Sequence, residues 1–537
     1  MNTMPRILKD DGARRDAISG HDRSILVEAG AGSGKTAVMA GRIAVMLAEG
    51  VAPRAIAAVT FTELAASELL SRVRDFVTDL AAGRIAPELR VGLPDGLSQA
   101  QRDNLIAASA AIDEITCSTI HGFCQHLIKP YPAEADIDPG ATVMDRNQAD
   151  LNFLEIVDDW LRERLSGDQG GILAEMVLHS PGETVALMHK IAEALRRRRS
   201  LVAPALTPLA VHLQAFRRAA DDLSAFMRAA GVVEPETEVY AVRFSEMATR
   251  LPTASHASTP AGLVGLLVSR PHPDLCTKAG GFSSYRKKGK WVAAAKQAGL
   301  SKADGERLND AAEGLFDACC AAWTALLQAT SSQVLAALID EARPILARYR
   351  EHKRASAQLD FDDLIYAARD LLRDHEAVRQ ALGQCYGRVL VDEFQDTDPL
   401  QAEIFWRLCG DPVGDPQDWT SFRIRPGALF LVGDPKQAIY RFRGADVGAY
   451  VQARAAFAAQ DADGLVSIST NFRSCASILT FVNERFEAVL SADGQPGFTA
   501  LDPFHDDRSG VCVAALDIAV ADENGKASAE QQRDAEA

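Results

Sequence analysis

The chain has 537 residues, 47% apolar and 24% charged, with a formal net charge of −16. That is globular composition with material for more than one core, and about 150 residues per domain predicts three or four domains. Met1–Gly20 has no apolar h-region, and no run of about 18 uncharged apolar residues occurs, so neither a secretory signal nor a membrane span is expected. The nine cysteines lack any CxxC pair, which points away from zinc or an Fe–S cluster and toward reduced thiols in the cytoplasm. The acidic balance argues mildly against nucleic acid, but a local basic track is compatible with it, so motifs must decide.

Ser24–Val27 is a short apolar run that leads into Gly-rich sequence and then into Ala37–Leu47, which has helical spacing. This predicts strand, loop, helix. Ala55–Thr60 is a second strand candidate, followed by a helix from about Glu63 to Leu80, and Ile115–Ser118 is a third strand candidate. From about Asp150 to Gln358, Leu, Ala, Arg and Glu recur at helical spacing, as in Leu326–Ala342, with a looser Pro252–Lys290 patch expected as loop. Strand signals return at Arg388–Val391, Ala428–Val432 and Leu465–Ser469, with a surface loop at Asp411–Arg425 between the first two. Ser477–Leu490 reads as helix, Val511–Val520 as a last strand, and Asp522–Ala537 as a linker or helix start. Strands alternating with helices predict an α/β fold with a parallel sheet.

The Gly-rich stretch is Ala29, Gly30, Ala31, Gly32, Ser33, Gly34, Lys35 and Thr36. Backbone N–H groups and a helix N-terminus at such a loop cradle phosphates, as in ATP. Lys35 has the reach for the β- and γ-phosphates, and the Thr36 hydroxyl suits Mg²⁺. Gly30, Gly32 and Gly34 are expected to supply positive φ or close approach. The general pattern begins with Gly, and here that place is Ala29. The alternative, a plain Gly-rich turn before a helix, is disfavoured by the strand and helix on either side. Downstream, Val389–Val391 is an apolar strand ending in Asp392 and Glu393. The first carboxylate is placed to hold Mg²⁺, and the second to polarise an attacking water. By itself that segment is also an ordinary acidic loop.

The run Asp392-Glu-Phe-Gln-Asp-Thr-Asp-Pro-Leu-Gln401 resembles the UvrD/Rep-type superfamily 1 helicases. Gly433-Asp-Pro-Lys-Gln-Ala-Ile-Tyr-Arg-Phe-Arg-Gly-Ala-Asp446 is similar to their RecB/AddA-like branch. Thr60-Phe-Thr62, Thr119-Ile-His-Gly-Phe-Cys124, Leu359-Asp-Phe-Asp-Asp-Leu364 and Asn471-Phe-Arg-Ser474 follow the family's order, and the resemblance covers roughly Asp10 to Leu490. The resemblance implies an ATP-dependent 3′→5′ DNA helicase or translocase of repair or recombination. The implied partners are DNA, single-stranded and duplex, and a second helicase–nuclease subunit. It gives Gln437 a role sensing the γ-phosphate, Arg473 a γ-phosphate contact across the cleft and Phe472 a stack on adenine. Thr60, Phe61, Thr119, His121, Tyr440, Phe442 and Arg443 would line the single-stranded DNA path, which suits aromatic faces and backbone-holding side chains.

Several positions depart from the family pattern. Arg14 stands where the family carries a Gln that reads adenine, and Leu64 follows Glu63 where a basic residue is usual. The later helicase motifs, with a second arginine finger, and the nuclease domain do not appear, so the chain is expected to be truncated before them. The implied fold is a RecA-like ATP-binding domain (1–150 and 359–464), an inserted, mostly helical domain (151–358) and the start of an incomplete second RecA-like lobe (465–537). The rival reading is a truncated nucleotide- and DNA-binding subunit without motor activity, dependent on a partner chain.

Three features stand outside these motifs. Arg196–Arg199 reads as a solvated helix end more than a duplex contact. Tyr285-Arg-Lys-Lys-Gly-Lys-Trp291 mixes basic and aromatic residues, and reads as much as a nucleic-acid patch as not. Asp360-Phe-Asp-Asp-Leu364 reads as a helix cap rather than a metal cluster.

Overall fold

A computed structural model describes residues 8–167, 170–197, 206–438, 447–461, 463–492, 497–507 and 510–514. The chain forms two compact units. One comprises Met1–Val143 with Leu359–Ala537, and the other, Met144–Gln358, lies between those parts in sequence.

The first unit is built on a six-stranded sheet. Its strands in chain order are β1 (Ile25–Ala29), β2 (Ile56–Thr60), β3 (Thr116–Thr119), β4 (Arg388–Val391), β5 (Leu429–Gly433) and β6 (Leu465–Ile468). In space they run β6-β1-β5-β4-β2-β3, every neighbour parallel. Alternation along each strand sends successive side chains to opposite faces. Ile25, Val27, Ile56, Ala58, Leu390, Phe430 and Val432 join the helices Asp11–Ser19, Lys35–Ala48 and Glu63–Ala81 in one core. Leu26, Ala57, Val59, Val389, Val391, Leu429 and Leu431 join Ile120–Ile128, Phe361–Asp374 and Pro399–Cys409 in the other. Both faces are therefore covered, as parallel strands of continuous apolar sequence require.

Some boundaries differ from expectation. β6 does not begin a second lobe at residue 465: Leu26↔Leu465 and Ala29↔Ile468 pair in the central sheet, so this strand completes the first. Its four residues alternate buried and less buried, which does not tell one sheet from another. A separate parallel pair, β7 (Thr470–Cys475) and β8 (Asp502–His505), follows it. The Asp411–Arg425 loop contains an antiparallel pair, Gly410–Pro412 with Phe422–Ile424. No strand occurs among the described residues of Val511–Val520; the rest of that stretch and Asp522–Ala537 lie outside the described residues.

In the second unit every named element from Arg146 to Ala355 is helical. Pro252–Lys290 is less loop-like than expected, since it holds the helices Ala254–Ala257 and Pro260–Leu267. The 54-residue helix Lys302–Ala355 is the spine. Phe316, Trp323, Leu326, Val334, Leu338, Ala342 and Ile345 on it are buried in this unit's core. By length and composition alone the helix meets the requirement for crossing a membrane. A core helix has the same composition, and this one buries its apolar stripe within the unit.

Candidate functional site

The C-terminal ends of the sheet strands form one rim, where ligands bind in open parallel sheets. At the end of β1, Ala29 hands the chain to the glycine loop. Gly32 and Gly34 adopt φ of 69° and 85°, and Gly34 is the N-cap of the helix that Lys35 starts. Gly30 does not take a positive φ; a Cβ there would meet the end of the Leu501 side chain, which would have to shift. Ser33 Oγ donates to the Gly30 carbonyl at 2.7 Å and folds the loop on itself. The result is a turn of backbone N–H groups leading into the first turn of the Lys35–Ala48 helix.

Two strands away, β4 ends in Asp392 and Glu393. Glu393 takes the left-handed conformation, φ 51° and ψ 43°. Lys35 Nζ donates to Glu393 Oε2 at 2.7 Å. Burial, and then the nearby Glu393 charge, push the Asp392 carboxyl up to about 6. The same two causes, in that order, push Asp396 to about 6. Asp396 Oδ1 is buried with no hydrogen-bond partner among the described residues. Crowded, desolvated carboxylates and a Thr hydroxyl are hard oxygen donors, the set that fits a small divalent cation such as Mg²⁺.

β5 brings a third group to the rim. Asp434 is buried and accepts Gln437 Nε2 at 2.7 Å. Its backbone N–H donates to Gln395 Oε1 at 2.8 Å, and Gln395 Nε2 donates to Glu393 Oε2 at 2.7 Å. In the sequence Gln395 is only a letter in the acidic motif; nothing there assigns it a partner.

β7 closes on the phosphate loop. Phe472 N–H donates to the Gly32 carbonyl at 2.8 Å, and Asn471 Nδ2 donates to the Ala31 carbonyl at 2.5 Å. A Cβ on Gly32 would lie 2.7 Å from the Arg473 Cβ, so Arg473 stands against the loop within the same unit. Phe472 is 37% exposed, and the Arg14 guanidinium lies 4.9 Å from its ring centroid. Arg14 is buried and donates to the carbonyls of Ser33 (2.9 Å) and Thr470 (3.1 Å) while paired with Asp10. The residue in the expected Gln place is thus committed to holding the loop against β7.

Thr60 and Thr119 end β2 and β3 and are direct cross-strand partners. Thr60 is buried and donates to the Thr62 carbonyl. Phe61 is 38% exposed. Thr119 caps the Ile120–Ile128 helix and donates to Glu63 Oε1 at 2.7 Å. His121 packs edge-on against Phe361, and burial lowers its pKa. Tyr440, Phe442 and Arg443 lie outside the described residues.

The remaining candidates are tied into their own surroundings where they are described. Asp360 caps the Phe361–Asp374 helix in a reciprocal box with Asp363. Tyr285 and Trp291 are buried, with Trp291 Nε1 donating to the Tyr285 hydroxyl at 2.7 Å, while Lys287 and Lys290 both pair with Glu236. Arg196 pairs with Asp150 at 2.9 Å and Arg197 with Glu193 at 2.9 Å; Arg198 and Arg199 lie outside the described residues.

A parallel sheet whose first strand runs through left-handed glycines into a helix, with an acidic strand end in reach of the loop lysine, is the build of a phosphate-binding-loop protein. Among such proteins, this chain belongs to the UvrD/REP helicase family, whose N-terminal domain model matches residues 11–458. It is 25% identical over 528 residues to the A subunit of an ATP-dependent helicase/nuclease from Pediococcus pentosaceus, with 90% of this chain and 39% of the relative covered. It is 26% identical over 505 residues to the RecBCD enzyme subunit RecB of Escherichia coli, covering 87% of this chain and 38% of that one. The corresponding helicase/nuclease protein of Desulforudis audaxviator is 27% identical over 550 residues, with 89% and 40% covered. The chain spans about two fifths of the length of these curated relatives.

Proposed function

We propose that the chain is the ATP-binding portion of a DNA helicase or translocase that moves 3′→5′ on single-stranded DNA and unwinds duplex in repair or recombination. The observation that carries this is the ion pair between Lys35 and Glu393, which places the phosphate-binding lysine and the candidate base 2.7 Å apart on one rim. Family membership and the names of the relatives support the DNA-motor reading. Those relatives are named as subunits, which supports a partner helicase–nuclease chain.

In this reading the residues divide the work. Backbone N–H groups of Gly30–Thr36 hold the phosphates, and Lys35 neutralises the γ-phosphoryl as it leaves. Thr36 and Asp392 would hold Mg²⁺, which screens phosphate charge when bound. Glu393 orients the attacking water, Gln437 senses the γ-phosphate, and Arg473, already against Gly32, reaches toward it. Phe472 offers its exposed face to adenine. Thr60, Phe61, Thr119, His121, Tyr440, Phe442 and Arg443 carry the DNA strand. The first unit is RecA-like with the helical unit inserted, and the β7–β8 pair, outside the central sheet, supports a second lobe beginning there rather than at residue 465.

The deciding experiment is ATP turnover with and without oligo-dT for the wild type and Lys35→Ala. Loss of the DNA-stimulated rate in the variant supports the reading. Turnover at the wild-type rate would sink it.

A further inference from the structure

Among the described residues the Glu393 carboxylate has two holders, and only one of them is free of phosphate duties. Its Oε2 accepts Lys35 Nζ and Gln395 Nε2, each at 2.7 Å. A phosphate bound in the loop competes for Lys35, which leaves the Gln395 amide as the group that keeps Glu393 aimed. Gln395 is 2% exposed, so its amide must find partners inside the protein. It finds them on two strands: Nε2 on Glu393, after β4, and Oε1 on the Asp434 N–H, after β5. The fit is tight, because a Cβ on Gly433 would lie 2.5 Å from Gln395 Oε1. Asp434 in turn holds Gln437. Lys35, Glu393, Gln395, Asp434 and Gln437 therefore form one hydrogen-bonded line across the ends of three adjacent strands, β1, β5 and β4.

We propose that Gln395 is a positioning residue that fixes the Glu393 carboxylate and couples it to the Gly433–Gln437 segment. The inference rests on the ATP reading above. A carboxamide suits the task because it donates at one end and accepts at the other. A carboxylate of the same shape would keep the Asp434 contact, lose the donor to Glu393 and add a charge beside Asp392, Glu393 and Asp396. The residues read above as lining the DNA path, Tyr440, Phe442 and Arg443, follow Gln437 in sequence, so a displacement of this segment by nucleic acid would shift the base through the amide and set the hydrolysis rate.

The test is steady-state ATP hydrolysis by the full chain, with and without oligo-dT, for Gln395→Glu and the uncharged Gln395→Met. Affinity for a fluorescent ATP analogue is measured alongside. We expect kcat to fall about 100-fold, the scale of general-base assistance, with analogue affinity within about threefold of wild type. The ratio of DNA-stimulated to basal rate should fall toward one. In a cycle with Gln437→Ala, the double variant should lose no more than the worse single one, as members of one network do. Multiplying losses, or an unchanged stimulation ratio in a folded Gln395→Met chain, would overturn the coupling. Turnover that needs Lys35 but ignores Gln395→Glu removes the relay alone, whereas turnover unaffected by Lys35→Ala removes the ATP reading with it.

Discussion

Asp10 and Arg14 form a bidentate ion pair, with Nε–Oδ1 and NH2–Oδ2 both at 3.1 Å, inside the protein and one helical turn apart. The pair is fully employed. Asp10 also accepts the backbone N–H groups of Ser469 and Thr470, and Arg14 donates to the carbonyls of Ser33 and Thr470. Removing one partner strands a buried charge, which costs about 3–5 kcal/mol. Arg14→Ala should therefore lower the urea midpoint, and should weaken nucleotide binding because Ser33 loses its anchor. A midpoint and an affinity both equal to wild type would refute this.

The same pair predicts an acid limb. Burial pushes the Asp10 carboxyl up, but hydrogen bonds from Arg14 and Thr470 outweigh it and hold the carboxyl below its ordinary value. Its stabilising contribution is thus full above the unfolded value of about 3.9 and is lost as pH falls through the lower folded value. Compared by urea melts, wild type and Asp10→Asn should differ at pH 6 and converge toward pH 2.

Asp392 has the opposite sign. Its folded value, about 6, lies above the unfolded one, so ionisation opposes folding increasingly between about pH 4 and 6 and fully above. Asp392→Asn should raise Tm by a few degrees at pH 7.5, lose that advantage near pH 4, and abolish Mg²⁺-dependent turnover. A lower Tm at pH 7.5 would contradict the assignment.

The two left-handed glycines separate space from conformation. Gly34 has φ 85° with no described residue within 4 Å of where a methyl group would stand, so Gly34→Ala should cost only the left-handed penalty, about 1–2 kcal/mol. Gly32 has φ 69° and meets Arg473 and Asn471, so Gly32→Ala must also displace β7. Calorimetry should rank Gly32→Ala as the more damaging change, with nucleotide affinity following the same order.

Tyr285→Phe tests the basic-aromatic patch. The change leaves the Trp291 N–H and the Thr237 hydroxyl without the oxygen they share, at about 1–3 kcal/mol. Stability should drop while affinity for oligo-dT stays within about twofold. A DNA-binding loss without a stability loss would restore the patch as a nucleic-acid contact.

Much of the fold is readable from the chain because short-range chemistry governs it. The β1 strand, the glycines and the Asp360 cap are local features in which neighbouring residues carry the whole signal. The Asp392–Glu393 strand end is equally plain. What escapes depends on distant partners. β6 looks like the opening of another domain because its four residues do not reveal that β1 is their neighbour. Tyr285–Trp291 looks basic and aromatic because sequence does not show Glu236 pairing with Lys287 and Lys290. Arg14 reads as a missing Gln, while its partners Ser33 and Thr470 lie in separate parts of the chain.

The place of β1 in the sheet also bears on how the protein is made. Both neighbours of β1, β5 and β6, are synthesised about 400 residues after it, with the whole helical unit in between, so its pairing is of very high contact order. The strand that carries the phosphate loop emerges well before either partner and waits with both edges open, an aggregation hazard for a nascent chain. Chaperone dependence and slow appearance of nucleotide binding during refolding are the natural consequences of ending the sheet with β6.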